Sequence, residues 1–252
     1  MEKSAEIYGI RAVIEAINSK KDIDKVFIQT GLKGKLIGQL ESLIRKNKIN
    51  FSYVPTQKLD RLSKKNHQGV IARISPIKFF DINEFSEIIE KSKIPFILIL
   101  DQISDVRNFG AIIRSAEISG VDGVIIQNSF SAPINSDTVK TSAGAIFNIP
   151  ICKVSHIKDA IYHLQSMDIS IICASEKAEK NIYDVNFKRP VALVMGSEQK
   201  GINKSVLSLS NEMVKLPMFG KIESLNVSVA CGIFLYEVAV SYTHLTLPTI
   251  AV

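Results

Sequence analysis

Residues 191–205 read VALVMGSEQKGINKS, five apolar residues that break at Gly196 and meet a second glycine, Gly201, five positions later. A buried strand running into G-x-x-x-x-G is how a triphosphate cradle begins. That cradle also needs Lys and Ser or Thr after the second glycine, for the phosphates and for magnesium. Here Ile202 and Asn203 follow, so triphosphate chemistry is excluded. The dinucleotide fingerprint G-x-G-x-x-G is absent as well. Two glycines remain that let backbone turn sharply and approach a ligand closely.

Two further stretches carry polar groups in apolar company. DQISDVRNFGAIIRSAEISG (101–120) follows an apolar run and holds Asn108 and Arg114. A lone helix cation is ordinarily solvated, but Ala111, Ile112, Ile113 and Ala116 surround Arg114, which points to an anion or a carboxylate as its partner. LPMFGKIESLNVSVACGIFLYE (216–237) is a strand end, a loop, and then Ser224 and Asn226 opening a nearly all-apolar helix. Either residue could simply cap that helix. Cys152, His156 and His163 invite a zinc reading, yet no C-x-x-C pair and no fourth ligand at a usual spacing accompany them. With Cys173 and Cys231 they read as buried thiols, and no metal is expected.

These groups need elements to hold them. From Ile94 the strands are continuously apolar: PFILIL (95–100), GVIIQ (123–127), ISIICA (169–174) and VALVM (191–195). Such runs between helical patterns indicate a parallel sheet covered on both faces. Its ligands bind beyond the carboxyl ends of the strands. Chemistry is therefore expected in the loops after Leu100, Met195 and Leu216, with a final helix over 226–239. Residues 1–75 form a compact α/β unit of their own, with helices over 10–17 and 35–44 and strands at 25–30, 51–54 and 69–74. Leu36, Ile37, Leu40, Leu43 and Ile44 share the buried face of the second helix. Residues 76–93, with a Pro, charges and one short amphipathic helix, read as a linker. Residues 240–252, VSYTHLTLPTIAV, depart from the pattern and are suspected to be a non-native tail.

The net charge of +6 is unevenly spread: residues 1–75 hold 15 Lys and Arg against 7 Asp and Glu. An excess confined to one segment favours a polyanionic partner, because Lys and Arg neutralising phosphates supply most non-specific nucleic-acid affinity. No aromatic-rich run accompanies it, so backbone and shape recognition are expected in that segment. The apolar run at 94–100 has only seven residues where a membrane span needs about 20. The charged N-terminus has no apolar signal region, and a cytoplasmic location is expected.

Together, D-x-I-x-D-x-x-N-x-G-x-x-x-R-S-A, V-M-G-S-E-x-x-G-I and L-P-M-x-G-x-x-x-S-L-N-V-S-V-A resemble, in order, the three motifs of the SpoU/TrmH (SPOUT) RNA ribose 2′-O-methyltransferases, over about residues 95–238. YGIRAVIEAI and HQGVIARI also resemble the small RNA-binding domain of the 23S rRNA guanosine methyltransferases (RlmB type). The resemblance implies an α/β fold with a trefoil-knotted parallel-sheet methyltransferase domain at 94–239, preceded by an L30e-like RNA-binding domain. It implies S-adenosylmethionine as cofactor, RNA (23S rRNA foremost) as partner, and a homodimer completing the site. Carried onto this chain, Gly196, Leu216 and Leu225 match cofactor contacts, with Met195, Met218 and Ser224 close by. Arg114 matches the catalytic arginine; beside it Asn108 is read as orienting substrate or Arg114, and Glu198 and Asn226 as fixing the loop network, with a purely structural role the alternative for either. A tRNA methyltransferase and an inactive RNA-binding member are the alternatives. Val106 stands where many members have Pro.

Overall fold

The structure, a computed structural model, describes residues 6–221 and 224–243, except for the side chains of Tyr242 and Thr243. The chain divides into two compact units. One ends at Lys78 and takes in Pro133–Ser136; the other holds Phe79–Ala132 and runs on from Asp137.

The first unit follows the order β1 (Glu6–Tyr8), α1 (Ile10–Asn18), β2 (Ile23–Gln29), α2 (Lys35–Lys46), β3 (Phe51–Val54), α3 (Thr56–Leu62) and β4 (Val70–Ile74). The sheet order is β1-β4-β2-β3, with β2 and β3 parallel and the other pairs antiparallel. On one face Val13, Ile14 and Ile17 of α1 and Ile37, Leu40 and Ile44 of α2 pack on Val26, Ile28, Val70 and Ala72. Leu36, expected on that face, is exposed, because α2 centres its buried stripe on the 37, 40, 44 spacing. The other face carries a smaller cluster in which Leu59 of α3 meets Phe27, Val54 and Ile71.

In the second unit the elements are α4 (Ile82–Ile89), β5 (Phe96–Asp101), α5 (Val106–Ile118), β6 (Gly123–Gln127), α6 (Ser136–Thr141), β7 (Ile151–Val154), α7 (Ile157–Ser166), β8 (Ser170–Ala174), β9 (Lys180–Asn181), β10 (Val191–Gly196), α8 (Lys204–Leu207), β11 (Glu212–Lys215) and α9 (Val227–Thr243). The strand order is β7-β6-β5-β10-β8-β11-β9, and every neighbouring pair is parallel. All six residues of β5 are buried, as the continuous apolar run requires.

Several segments differ from expectation, the short strands β1 and β9 among them. Residues 79–93, read as linker, hold the expected amphipathic helix as α4, opened by a capping box between Asp81 and Glu84. Its Phe85 and Ile89 are fully buried among Ile97, Ile99 and Ile125, each such burial worth about 1.5–3 kcal/mol. Phe80 exchanges backbone hydrogen bonds with Ile151 and Lys153, so the segment belongs to the second unit's sheet edge. β7 was not anticipated; only four residues long, it holds Cys152 fully buried beside Ile125. The last helix runs through Val240 to Thr243, across the suspected start of the non-native tail, and residues 244–252 lie outside the described residues.

Burial pushes the Cys152 and Cys173 thiols up to about 12 and the Cys231 thiol up as well, which makes all three poor nucleophiles. His163 Nε2 lies 2.7 Å from Ser86 Oγ, and among the described residues no three His, Cys, Asp or Glu side chains gather where they could hold a metal ion.

Candidate active site

β5 and β10 are parallel neighbours in register from Phe96 opposite Val191 to Asp101 opposite Gly196, so the loops that follow them emerge side by side. After β5, Asp105 caps α5: its carboxylate accepts from the backbone N–H of Arg107 (2.9 Å) and Asn108 (2.8 Å). Val106 is the first residue of that helix, a position whose fixed φ suits Pro. Proline's fixed φ would stiffen the chain at this helix start, and Val106 does not.

After β10 the chain closes on itself. Gly201 N–H donates to Ser197 O at 2.8 Å, and Gly201 has φ +65°. A Cβ on Gly196 would stand 2.2 Å from Gly201 C and 2.3 Å from Ile202 N, so no larger residue fits. The close approach foreseen for this glycine is made to its own loop. Asp101 ties the two loops together by accepting from Asn203 N–H at 2.7 Å. Asp101 is 2% exposed, and burial holds its carboxyl above the ordinary range, against the opposing hydrogen bonds from Asn203 and Gln102.

The third motif arrives at the head of α9. Asn226 Oδ1 accepts from Ser228 N–H (3.0 Å) and Ser228 Oγ (2.5 Å), an N-cap. Its amide Nδ2 does something a cap does not need: it donates to Asn108 Oδ1 at 3.0 Å and to Glu198 Oε1 at 2.6 Å. Glu198 Oε1 also accepts Val227 N–H at 3.2 Å. Asn108, Glu198 and Asn226 thus form one hydrogen-bonded unit joining all three motifs. An open cleft of about 270 Å³ borders it, lined by Gln102, Ser104, Asp105, Phe130, Ser197 and Lys200 together with Asn108, Glu198 and Val227. That size sits at the lower end of small-ligand pockets, about 300–1,000 Å³.

The other expected site residues lie outside this lining. Met195 is buried at the end of β10, with Gly196 completing the strand. Leu216 is 9% exposed just past β11. Met218 and Leu225, both exposed, and the exposed Ser224 occupy the segment between β11 and α9, of which Ile222 and Glu223 lie outside the described residues. Arg114 is exposed on α5, and among the described residues it has no hydrogen-bond or ion-pair partner. Gln102 and Phe130 went unnoticed in the sequence; both are non-glycine residues at positive φ (+60° and +65°), a conformation with no signature at these residue types.

In the first unit, cations crowd one aromatic ring. Lys25 Nζ, Lys58 Nζ and the Arg73 guanidinium lie 5.6, 6.0 and 5.4 Å from the centre of Phe27. Lys25 and Arg73 are directly opposed across β2 and β4, with Glu6 facing Arg73 from β1. Burial first, and then Lys58, lowers the pKa of Lys25. Lys65 Nζ stands 5.2 Å over Tyr8.

The profile of the SpoU rRNA Methylase family matches residues 95–236, and that for RNA 2′-O ribose methyltransferase substrate binding matches residues 7–80. The chain is 33% identical over 237 residues to the 23S rRNA (guanosine-2′-O-)-methyltransferase RlmB of Vibrio vulnificus, covering 92% of this chain and 94% of that protein. It is equally 33% identical, over 234 residues and with the same two coverages, to a Bacillus subtilis protein named for the TrmH family of tRNA/rRNA methyltransferases, YacO. The SpoU methyltransferase AviRb of Streptomyces viridochromogenes, solved with AdoMet, shares the fold at TM-score 0.60 and 21% identity, over 95% of this chain and 90% of that one.

Proposed function

The chain belongs to the SpoU rRNA methylase family, and from that premise we propose that it transfers a methyl group from S-adenosylmethionine to a ribose 2′-hydroxyl of RNA. The observation that carries the proposal is the hydrogen-bonded unit of Asn108, Glu198 and Asn226, which joins three motifs 28 to 118 positions apart beside one cleft. The finer reading is a guanosine of 23S rRNA, supported by the likeness to RlmB. The equal likeness to YacO keeps tRNA as the second reading.

The cofactor would rest on Gly196, Leu216 and Leu225, with Met195, Met218 and Ser224 alongside. Met218 and Leu225 fit that role: they are large apolar side chains left exposed near the carboxyl edge of the sheet, a surface an adenine can cover. When bound, the donor supplies an electrophilic methyl and its own driving force. What this chain must supply is position and charge. Asn108 and Glu198, held by Asn226, fix the walls against which the ribose is aligned. The Arg114 guanidinium offers a fixed positive charge and a planar fork of hydrogen-bond donors. Its role is to bind the phosphate beside the target ribose and stabilise the negative charge that develops on the 2′-oxygen as the hydroxyl proton passes to water.

RNA is held by the first unit, where Lys25, Lys58, Arg73 and Lys65 offer phosphate contacts. A homodimer belongs to the same proposal: Val229, Ile233, Tyr236 and Val240 make an exposed apolar stripe along α9, continued by Tyr183. So do the trefoil threading and the L30e-like first unit; the insertion of β10 between β5 and β8, apart from its sequence neighbours, is what threading would need. No described helix is long and apolar enough to cross a membrane, and a cytoplasmic setting is part of the reading.

Tritium transfer from labelled S-adenosylmethionine to RNA separates an active enzyme from an inactive RNA-binding member. Mapping reverse-transcription stops on ribosomal and transfer RNA from a strain lacking the gene decides between the substrates. A stop lost from 23S rRNA supports the finer reading, and one lost only from tRNA overturns it.

A further inference from the structure

Phe130 is 72% exposed, yet it stands at the cleft beside Asn108 and Glu198, in the turn that follows β6. Nothing in folding rewards that position. The ring is out of the core, and its backbone at φ +65° is in the left-handed region, where a side chain with a Cβ is strained. The next residue adds to the cost: Ser131 Oγ is shut away from solvent and has no hydrogen-bond partner among the described residues. The turn is nonetheless anchored, since Ala132 N–H donates to Ile103 O at 2.8 Å and Ala132 is buried. The loop it is anchored to carries its own left-handed residue, Gln102, which lines the same cleft. Two strained residues on two facing loops at one polar cleft make an arrangement kept for what it holds.

We infer that Phe130 is a stacking platform for the nucleobase of the nucleotide whose ribose enters the cleft. This inference rests on the RNA-methylation reading. Single-stranded RNA is gripped where an unstacked base finds an aromatic face, and the ribose and phosphate then fall to nearby polar groups. Here Gln102, Ser104, Asp105 and Ser197 face the ribose, and Lys200 offers the cation for the phosphate. Every base has a π-face, so stacking is tolerant of base identity. Phe130 therefore sets affinity and position, and the discrimination among bases lies with groups that meet the base edges. It is a positioning residue whose loss raises KM for RNA and leaves the binding of S-adenosylmethionine unchanged.

The chain contains no tryptophan, so Phe130→Trp provides a single fluorescent reporter at this position. Titration of that variant with poly(A) and with unmodified ribosomal RNA is expected to quench the indole emission and to shield it from acrylamide. Phe130→Ala is expected to weaken RNA binding about 5- to 150-fold, the range that loss of one stacked base gives, with Phe130→Tyr restoring it. Phe130→Gly relieves the left-handed strain. It should raise Tm by about 2–4 °C while weakening RNA binding as much as Phe130→Ala, which separates the role from a structural one. RNA binding and methyl transfer at wild-type KM by Phe130→Ala, or an indole still open to acrylamide with RNA bound, would overturn the inference while leaving the methyltransferase reading intact. Quenching by RNA without methyl transfer by the wild-type chain would instead overturn that reading and leave the platform standing.

Discussion

Asn226 does two jobs that one substitution can pull apart. Its Oδ1 caps α9 and its Nδ2 ties Asn108 to Glu198. Serine caps a helix about as well as asparagine, but its side chain has no amide to reach across to the other two motifs. Asn226→Ala loses both functions. The cap is worth about 1 kcal/mol and the two amide bonds, lying near solvent, about 0.5 kcal/mol each, about 2 kcal/mol in all. In a domain of this size that lowers Tm by about 4–8 °C. Asn226→Ser keeps the cap and loses only the amide bonds, about 1 kcal/mol and a fall of about 2–4 °C. If the hydrogen-bonded unit positions the reacting ribose, the serine variant loses about as much rate as the alanine variant, on the order of 10²-fold, despite its smaller stability loss. Thermal unfolding and methyl transfer from labelled S-adenosylmethionine to RNA, measured on the same preparations, give both quantities. A serine variant with wild-type rate, or rates that simply follow the folded fraction in both variants, would refute the reasoning.

Gly196→Ala drives a methyl group into the Gly201–Ile202 backbone; denaturant unfolding should show a cost of about 1–3 kcal/mol, and calorimetry a loss of S-adenosylmethionine affinity. Asp101 has a raised pKa, so its stabilising contribution is complete below the ordinary carboxylate range and is lost as pH rises through the raised value. Asp101→Asn keeps an acceptor for Asn203 N–H and has no such loss, so in urea unfolding its stability relative to wild type should improve from pH 3.5 to pH 7; the opposite trend would contradict the burial assignment. Replacing Lys25, Lys58 and Arg73 together by Gln should weaken RNA binding and flatten the plot of log affinity against log salt by about 2, at about 0.7 per phosphate contact. Arg114→Ala should abolish transfer with S-adenosylmethionine binding intact, and Arg114→Lys should restore little, because a point charge does not reproduce the planar fork; a near-normal Arg114→Lys rate would contradict the guanidinium role.

Much of the second unit could be read from its residues because a strand buried on both faces must be apolar through its centre, and β5, β6, β8 and β10 are, with Asp101, Gln127 and Ser170 only at strand ends. β7 escaped because ICKV is short and interrupted by Lys153, and 79–93 because Pro and charged residues around Phe80, Phe85 and Ile89 obscure how deeply those three pack. The strand-end logic led to the loops that meet at Asn108, Glu198 and Asn226, and Asn226 could be recognised as a cap from local sequence. Its second role could not, since its partners lie 28 and 118 residues away and nothing local encodes that meeting. The tight space at Gly196 was legible as a need for glycine, though not what fills the space. The positive φ of Gln102 and Phe130 is imposed by the packing of two loops on each other, which residue type does not report.

The account rests on the atom that receives the methyl group. RNA lacking its natural modifications, incubated with the purified chain and methyl-labelled S-adenosylmethionine and then digested to nucleosides, should carry the label as a 2′-O-methylated nucleoside, with 2′-O-methylguanosine foremost. Label found on a base, or no label on folded protein that binds both RNA and donor, would contradict it.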